Sequence, residues 1–139
     1  MAFALDQRLA DSTIPVMSVA GIQVRLVDDS RYVWLLLVPE CEGVEELQDL
    51  EKGMRDRLFS LAAELGGWMK TNFEADKINV ATIGNLVPQF HLHVVARRRD
   101  DAAWPGPVWG HGAPTGLTPA RRQQLLTEVA AFLDVGDTV

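Results

Sequence analysis

The chain is poor in the residues that would fix its covalent or membrane context. It has one cysteine, Cys41, so no intramolecular disulfide can form, and a reducing, cytoplasmic setting suits it. That thiol reads as incidental, at a strand end. Long apolar runs are missing: the longest, Tyr32 to Pro39, is far too short to span a bilayer. The segment Met1 to Asp6 has no basic n-region and no long apolar core, so no signal peptide is expected. Cations are outnumbered, with 13 Lys and Arg against 19 Asp and Glu and a net charge of −6. Such a field does not attract nucleic acid. Repeats and low-complexity tracts are absent. What remains is 139 residues, 47% hydrophobic, enough for one domain with a proper core.

Histidine is scarce too, with three in all, and two of them stand in one stretch. From Gln89 to Val94 polar and apolar residues alternate, the period of a half-buried β-strand. Gln89, His91 and His93 share one face; Phe90, Leu92 and Val94 share the other. Side chains two apart on a strand are about 7 Å apart, so both imidazoles can reach one small ligand. Three readings follow: polar residues on a wet strand face, a metal site, or catalysis as base, acid or nucleophile near neutral pH. A zinc site would call for three or four ligands, and no nearby cysteine or carboxylate stands out.

The remaining elements follow in order. Phe3 to Ala10 reads as a short lead-in helix or turn and Ser12 to Met17 as a loop containing Pro15. Gly21 to Val27 and Tyr32 to Val38 form an antiparallel hairpin across the turn cluster Asp28 to Arg31. Val44 to about Phe73 is the main helix, with Leu47, Leu50, Met54, Leu58, Leu61, Leu65 and Trp68 as its core stripe. Gly66-Gly67 loosens its end and Asn72 stops it. Lys77 to Ile83 is a third strand that pairs with the histidine strand. Arg97 to Asp101 is a charged strand end. Trp104 to Gly112 is a Pro/Gly/Trp loop that either folds back near the site or covers a partner, and His111 in it is a polar loop group. Thr118 caps a last helix that Pro119 begins. Consecutive antiparallel strands with helices on one face make an α+β fold of about five strands.

The histidine stretch, Gln-φ-His-φ-His-φ-φ followed by Ala96-Arg97, resembles the motif of the histidine triad (HIT) family, as a bacterial-type member with Gln89 at the first motif position. The resemblance covers about residues 21–97 of the single 1–139 domain, leaving a C-terminal loop and helix over 98–139. It implies that His91 is a nucleophile that attacks the α-phosphorus of a nucleotide and forms a nucleotidyl-histidine intermediate. His93 would contact phosphate and the leaving group. Gln89 would act through its backbone carbonyl, accepting the Nδ1 proton of His91 and leaving Nε2 free.

Further positions carry over from the same resemblance. Asp28 matches an acidic or amide residue that holds the ribose hydroxyls; it also reads as a plain turn residue. Asn79 and Arg97 match positions near the phosphate. The Gly84 to Gln89 loop with Asn85 stands where the family has a phosphate-contacting loop, and equally reads as a simple hairpin loop. Trp34 stands where many members have a further histidine, and reads as a core or dimer residue. The implied activity is hydrolysis of nucleoside phosphoramidates or dinucleoside polyphosphates, with no obligatory metal or cofactor, in a homodimer. The alternatives are transfer to an acceptor other than water, and nucleotide binding with little turnover.

Overall fold

A computed structural model describes residues 2–137, with side chains described through residue 134. Met1, Thr138 and Val139, the ends of the expected domain, lie outside it. The elements are α1 (Gln7–Ser12), β1 (Thr13–Val19), β2 (Ile22–Val27), β3 (Val33–Pro39), α2 (Lys52–Asn72), β4 (Lys77–Ala81), β5 (Leu92–Arg97) and α3 (Pro119–Asp137). The strands form one antiparallel sheet in the order β1-β2-β3-β5-β4. This is the α+β arrangement that the sequence implied.

One expectation fails at the N-terminal side. Ser12 to Met17 is not a loop: Thr13–Val19 pairs with β2 across a two-residue turn at Ala20 and Gly21, both at positive φ. Pro15 is tolerated because β1 is an edge strand, where a missing N–H removes no ladder bond. The register shifts between Pro15 and Met17, marking a bulge.

The main helix also starts later than its acidic run suggested. Residues 44–51 are irregular apart from a 3-10 turn, Leu47–Asp49. There the Asp49 carboxylate accepts from the Glu45 and Glu46 amides. Short acidic side chains compete for backbone donors in this way, holding a turn rather than a helix. Leu47 is exposed, while Met54, Leu58, Leu61, Leu65 and Met69 form the buried stripe. Gly66 does not loosen the helix; it lets α2 approach the sheet, since a Cβ there would meet Ile78 Cγ2 at 3.2 Å. Strand β4 ends at Ala81, short of Ile83, and β5 begins at Leu92.

The alternation across β5 separates two environments. Phe90, Leu92, Val94 and Ala96 enter the main core with α2, α3 and the inward residues of β2 and β3. Trp68 stacks on Phe132, joining α2 to α3 at 4.9 Å between centroids. The opposite sheet face carries both imidazoles. It is covered in part by Phe3, Leu5 and Leu9 over Leu36 and Val38, and in part by the loop after β5, whose Ala103 and Val108 pack with Tyr32 and Val95. The long helices α2 and α3 leave this face free, and the site forms where those two covers meet.

Candidate active site

His91 enters from the loop just before β5, and His93 is the second residue of that strand. Their rings face each other edge-on, 5.0 Å apart at 72°. Both are largely buried, His91 at 4% and His93 at 7% exposure. A cavity of about 570 Å3 opens beside His93. Its walls include Leu9, Val27, Leu36, Trp34 and Trp109, and Asp28 and Thr13 supply polar groups. Its size and largely apolar lining with a few polar groups suit a small organic ligand. His91 adjoins this cavity through His93.

The hydrogen bonds of the two rings assign their protons. His91 Nδ1 lies 2.7 Å from the Gln89 carbonyl oxygen. A carbonyl only accepts, so Nδ1 carries the proton and Nε2 holds a lone pair. His93 is the reverse. Its Nδ1 lies 2.9 Å from Trp34 Nε1, and an indole N–H only donates. His93 Nδ1 is therefore the acceptor, and the proton sits on Nε2. Burial, with a smaller contribution from neighbouring His91, pushes His93 down to about 3. It is neutral at physiological pH. The buried polar atoms lacking a partner, among the described residues, are Tyr32 Oη, Arg55 Nε, Trp109 Nε1 and Glu128 Oε2. The imidazole pair offers one nitrogen lone pair and one N–H donor.

The other candidates separate into two groups. Gln89 serves His91 through its backbone, while its side chain turns to the N-terminal segment: Oε1 accepts from the Asp6 amide at 2.8 Å and Nε2 donates to the Ala4 carbonyl at 2.9 Å. Arg8 adds a bond to the Leu86 carbonyl, so the segment is tied to the loop between β4 and His91. Asp28 lines the cavity, and its Oδ1 accepts from the Leu117 amide at 2.9 Å. Asn85 is exposed on the loop between β4 and β5.

Asn79 and Arg97 lie elsewhere. Arg97 is 1% exposed, and its guanidinium donates to Asp101, Asn79 and the Gly106 carbonyl. Neither residue lines the cavity. In this placement the two brace the loop that follows β5.

Several contributors were invisible in the sequence reading. Trp34 was expected in the core or a dimer face, yet it bonds His93. The pairing of β3 with β5 puts it there: Trp34 lies opposite Val95, on the face His93 shares. Trp109 folds back onto the site, with its ring 5.2 Å from His93 and 6.1 Å from Trp34. Asp29 is buried and paired with Arg31 at 2.9 Å. Arg31 also donates to the His111 carbonyl, pinning the loop next to Trp109. Among the described residues no three His, Cys, Asp or Glu side chains converge to hold a metal ion.

These features define an α+β protein with two complementary imidazoles at a cavity on one sheet face. The HIT domain family model matches residues 16–100. A histidine triad protein from Bradyrhizobium japonicum superposes with a TM-score of 0.92 at 34% identity, covering 96% of this chain and 99% of that one. One from Marinobacter aquaeolei VT8 gives 0.93 at 35% identity, over 96% and 98%. One from Sinorhizobium meliloti 1021 gives 0.87 at 35%, over 95% of each chain. No curated protein matches the chain. The chain belongs to the HIT domain family, whose members are generally nucleotide-binding hydrolases or transferases.

Proposed function

We propose that the protein hydrolyses nucleoside phosphoramidates or dinucleoside polyphosphates through a nucleotidyl-histidine intermediate on His91. The observation that carries this reading is the bond between His91 Nδ1 and the Gln89 carbonyl, which leaves Nε2 unprotonated. The nucleoside occupies the cavity, with Asp28 accepting from the ribose hydroxyls. His91 Nε2 attacks the α-phosphorus in line, the bond to the leaving group breaks, and a P–N bond forms. Water then adds to phosphorus, the P–N pair returns to His91, and the water proton passes to solvent. His93 Nε2–H donates to a phosphate oxygen as charge develops there. The protein's contribution is positioning and charge stabilisation. Gln89 takes the first motif place with a backbone function, so its side chain need not be an imidazole.

The test is a rapid-quench incubation with labelled nucleoside phosphoramidates and dinucleoside polyphosphates, followed by peptide mapping. The label is expected on His91, and His91→Ala should remove both label and turnover. Turnover that survives His91→Ala would overturn the mechanism. Binding without turnover would make this a nucleotide-binding module, and a labelled product on an added acceptor a transferase.

We further propose a homodimer in the cytoplasm. The support is the free edge of β4, with exposed Val80 and, just beyond it, exposed Ile83 and Leu86; an uncovered edge with apolar side chains invites strand pairing. Light scattering should give twice the monomer mass, and Val80→Lys should shift it toward monomer.

A further inference from the structure

We propose that Trp34 is a positioning residue that holds His93 as a permanent N–H donor and so tunes the site to leaving groups that depart without a proton. The inference rests on the nucleotidyl-transfer reading above. Its starting point is the contact between Trp34 Nε1 and His93 Nδ1 at 2.9 Å. An indole nitrogen cannot accept. Adding a proton to His93 Nδ1 would set two N–H groups against each other, so His93 can become an imidazolium only if the Trp34 ring moves. That ring packs edge-on with Tyr32 and with Trp109, each at 6.1 Å between centroids. The low basicity of His93 has a second, independent cause in its burial.

The residues paired with His93 and packed against it from the loop carry no charge. On β3 and β4 its paired residues are Leu36 and Ala81, and the loop over it supplies Trp109. The ionisable groups nearby are His91 in the loop before β5, Asp11 and Asp28 at the cavity, and the Asp29–Arg31 pair, whose charges already compensate each other.

The consequence follows from where electrons and protons go. When His91 Nε2 bonds to phosphorus and a P–O–P bridge breaks, the bond pair stays on the departing phosphate oxygen. That oxygen is stable as an anion and needs no proton. When a P–N bond breaks, the pair stays on nitrogen, which must gain a proton to leave as an amine. A neutral imidazole N–H can stabilise a phosphate oxygen but would have to become an imidazolate to supply that proton. The substrate class favoured here is therefore the phosphoric anhydride, such as a dinucleoside polyphosphate, over the phosphoramidate of a basic amine.

The experiment compares kcat/KM for diadenosine tetraphosphate and adenosine 5′-phosphoramidate in the wild type, Trp34→Phe and Trp34→His, with the imidazole nitrogens of His93 followed by 15N NMR across pH. In the wild type His93 should carry its proton on Nε2 and not titrate between pH 5 and 8, and the anhydride should be preferred. Trp34→Phe keeps an aromatic ring and loses the donor; kcat on the anhydride should fall by about 10- to 100-fold, the range for losing a group that orients a functional imidazole, with KM little changed. Trp34→His offers a group that can accept from His93 Nδ1, so the amidate-to-anhydride ratio should rise at least tenfold and His93 should begin to titrate. A His93 that titrates near neutrality in the wild type would overturn the proposal, as would an amidate preference there or ratios identical in all three proteins. Absence of turnover on both substrates would count against the nucleotidyl-transfer reading, and the NMR titration would still decide whether Trp34 locks His93.

Discussion

Replacing Arg97 with methionine separates a structural brace from a phosphate ligand. The Arg97 side chain is 2% exposed and makes a two-pronged pair with Asp101, through Nε at 2.8 Å and Nη2 at 3.0 Å. It also donates to Asn79 Oδ1 and to the Gly106 carbonyl, each at 2.8 Å. Asp101 is 5% exposed and accepts in turn from the amides of Arg98, Ala103 and Trp104. Methionine keeps most of the stem volume but strands a buried carboxylate. Breaking a buried pair by removing one partner costs about 3–5 kcal/mol. In a domain of this length that is a fall in Tm of about 10–20 °C. Adding Asp101→Asn removes the stranded charge, so the double variant should recover about 2 kcal/mol relative to the sum of the singles. Urea unfolding of the four proteins measures this directly. With substrate at low temperature, folded Arg97→Met should keep its KM within about twofold and lose mainly kcat, because Trp109 rides on the braced loop. A loss of stability under about 1 kcal/mol together with a large rise in KM would refute the reasoning and return Arg97 to the phosphate.

His93 makes stability depend on pH. Its folded value near 3 lies below the ordinary value of about 6.5, so between the two the unfolded chain binds the extra proton, and stability falls as pH drops from about 6.5 toward 3. His93→Gln should flatten that part of the urea midpoint profile; an unchanged slope would contradict a buried neutral ring. Asp101 adds to acid lability at lower pH. Burial alone would raise it, but the bonds from Arg97 and from the loop amides hold it low, so its contribution is present above about pH 4 and is lost as pH falls through the depressed folded value. Asp28→Asn keeps an acceptor for the Leu117 amide but weakens acceptance from two hydroxyls. It should raise KM about tenfold for a ribonucleotide, the cost of one charge-assisted bond, and little for the 2′,3′-dideoxy analogue; equal effects on both would remove Asp28 from the ribose.

How much of this was legible beforehand depends on the kind of signal. Strand alternation is local, and it placed Phe90, Leu92 and Val94 in the core and the imidazoles opposite them without knowledge of any partner. The Thr118-Pro119 helix start was equally local, and Thr118 Oγ1 does accept from the Arg121 amide. β1 was missed because Pro15 argues against a strand unless its edge position is known, and edge position is a property of the whole sheet. The late start of α2 was missed because acidic residues favour a helix N-terminus and also the turn that Asp49 closes. At the site, the role of the Gln89 carbonyl came from the resemblance. The Trp34–His93 bond did not, because it joins residues 59 positions apart whose donor and acceptor roles become visible only once β3 and β5 are paired. The bracing contacts of Arg97 were hidden for the opposite reason. A basic residue after a histidine strand suggests a phosphate, and only the fold brings Asp101 and Gly106 around it.

The central claim is that His91 Nε2 becomes bonded to phosphorus during turnover. Stereochemistry at that phosphorus tests it most directly. A dinucleoside polyphosphate carrying a chiral thiophosphate at the attacked position, hydrolysed in 18O-water, reports the number of displacements. Two in-line displacements, first by His91 and then by water, predict net retention of configuration. Net inversion would mean that water attacks directly, with His91 holding the phosphate rather than bonding to it.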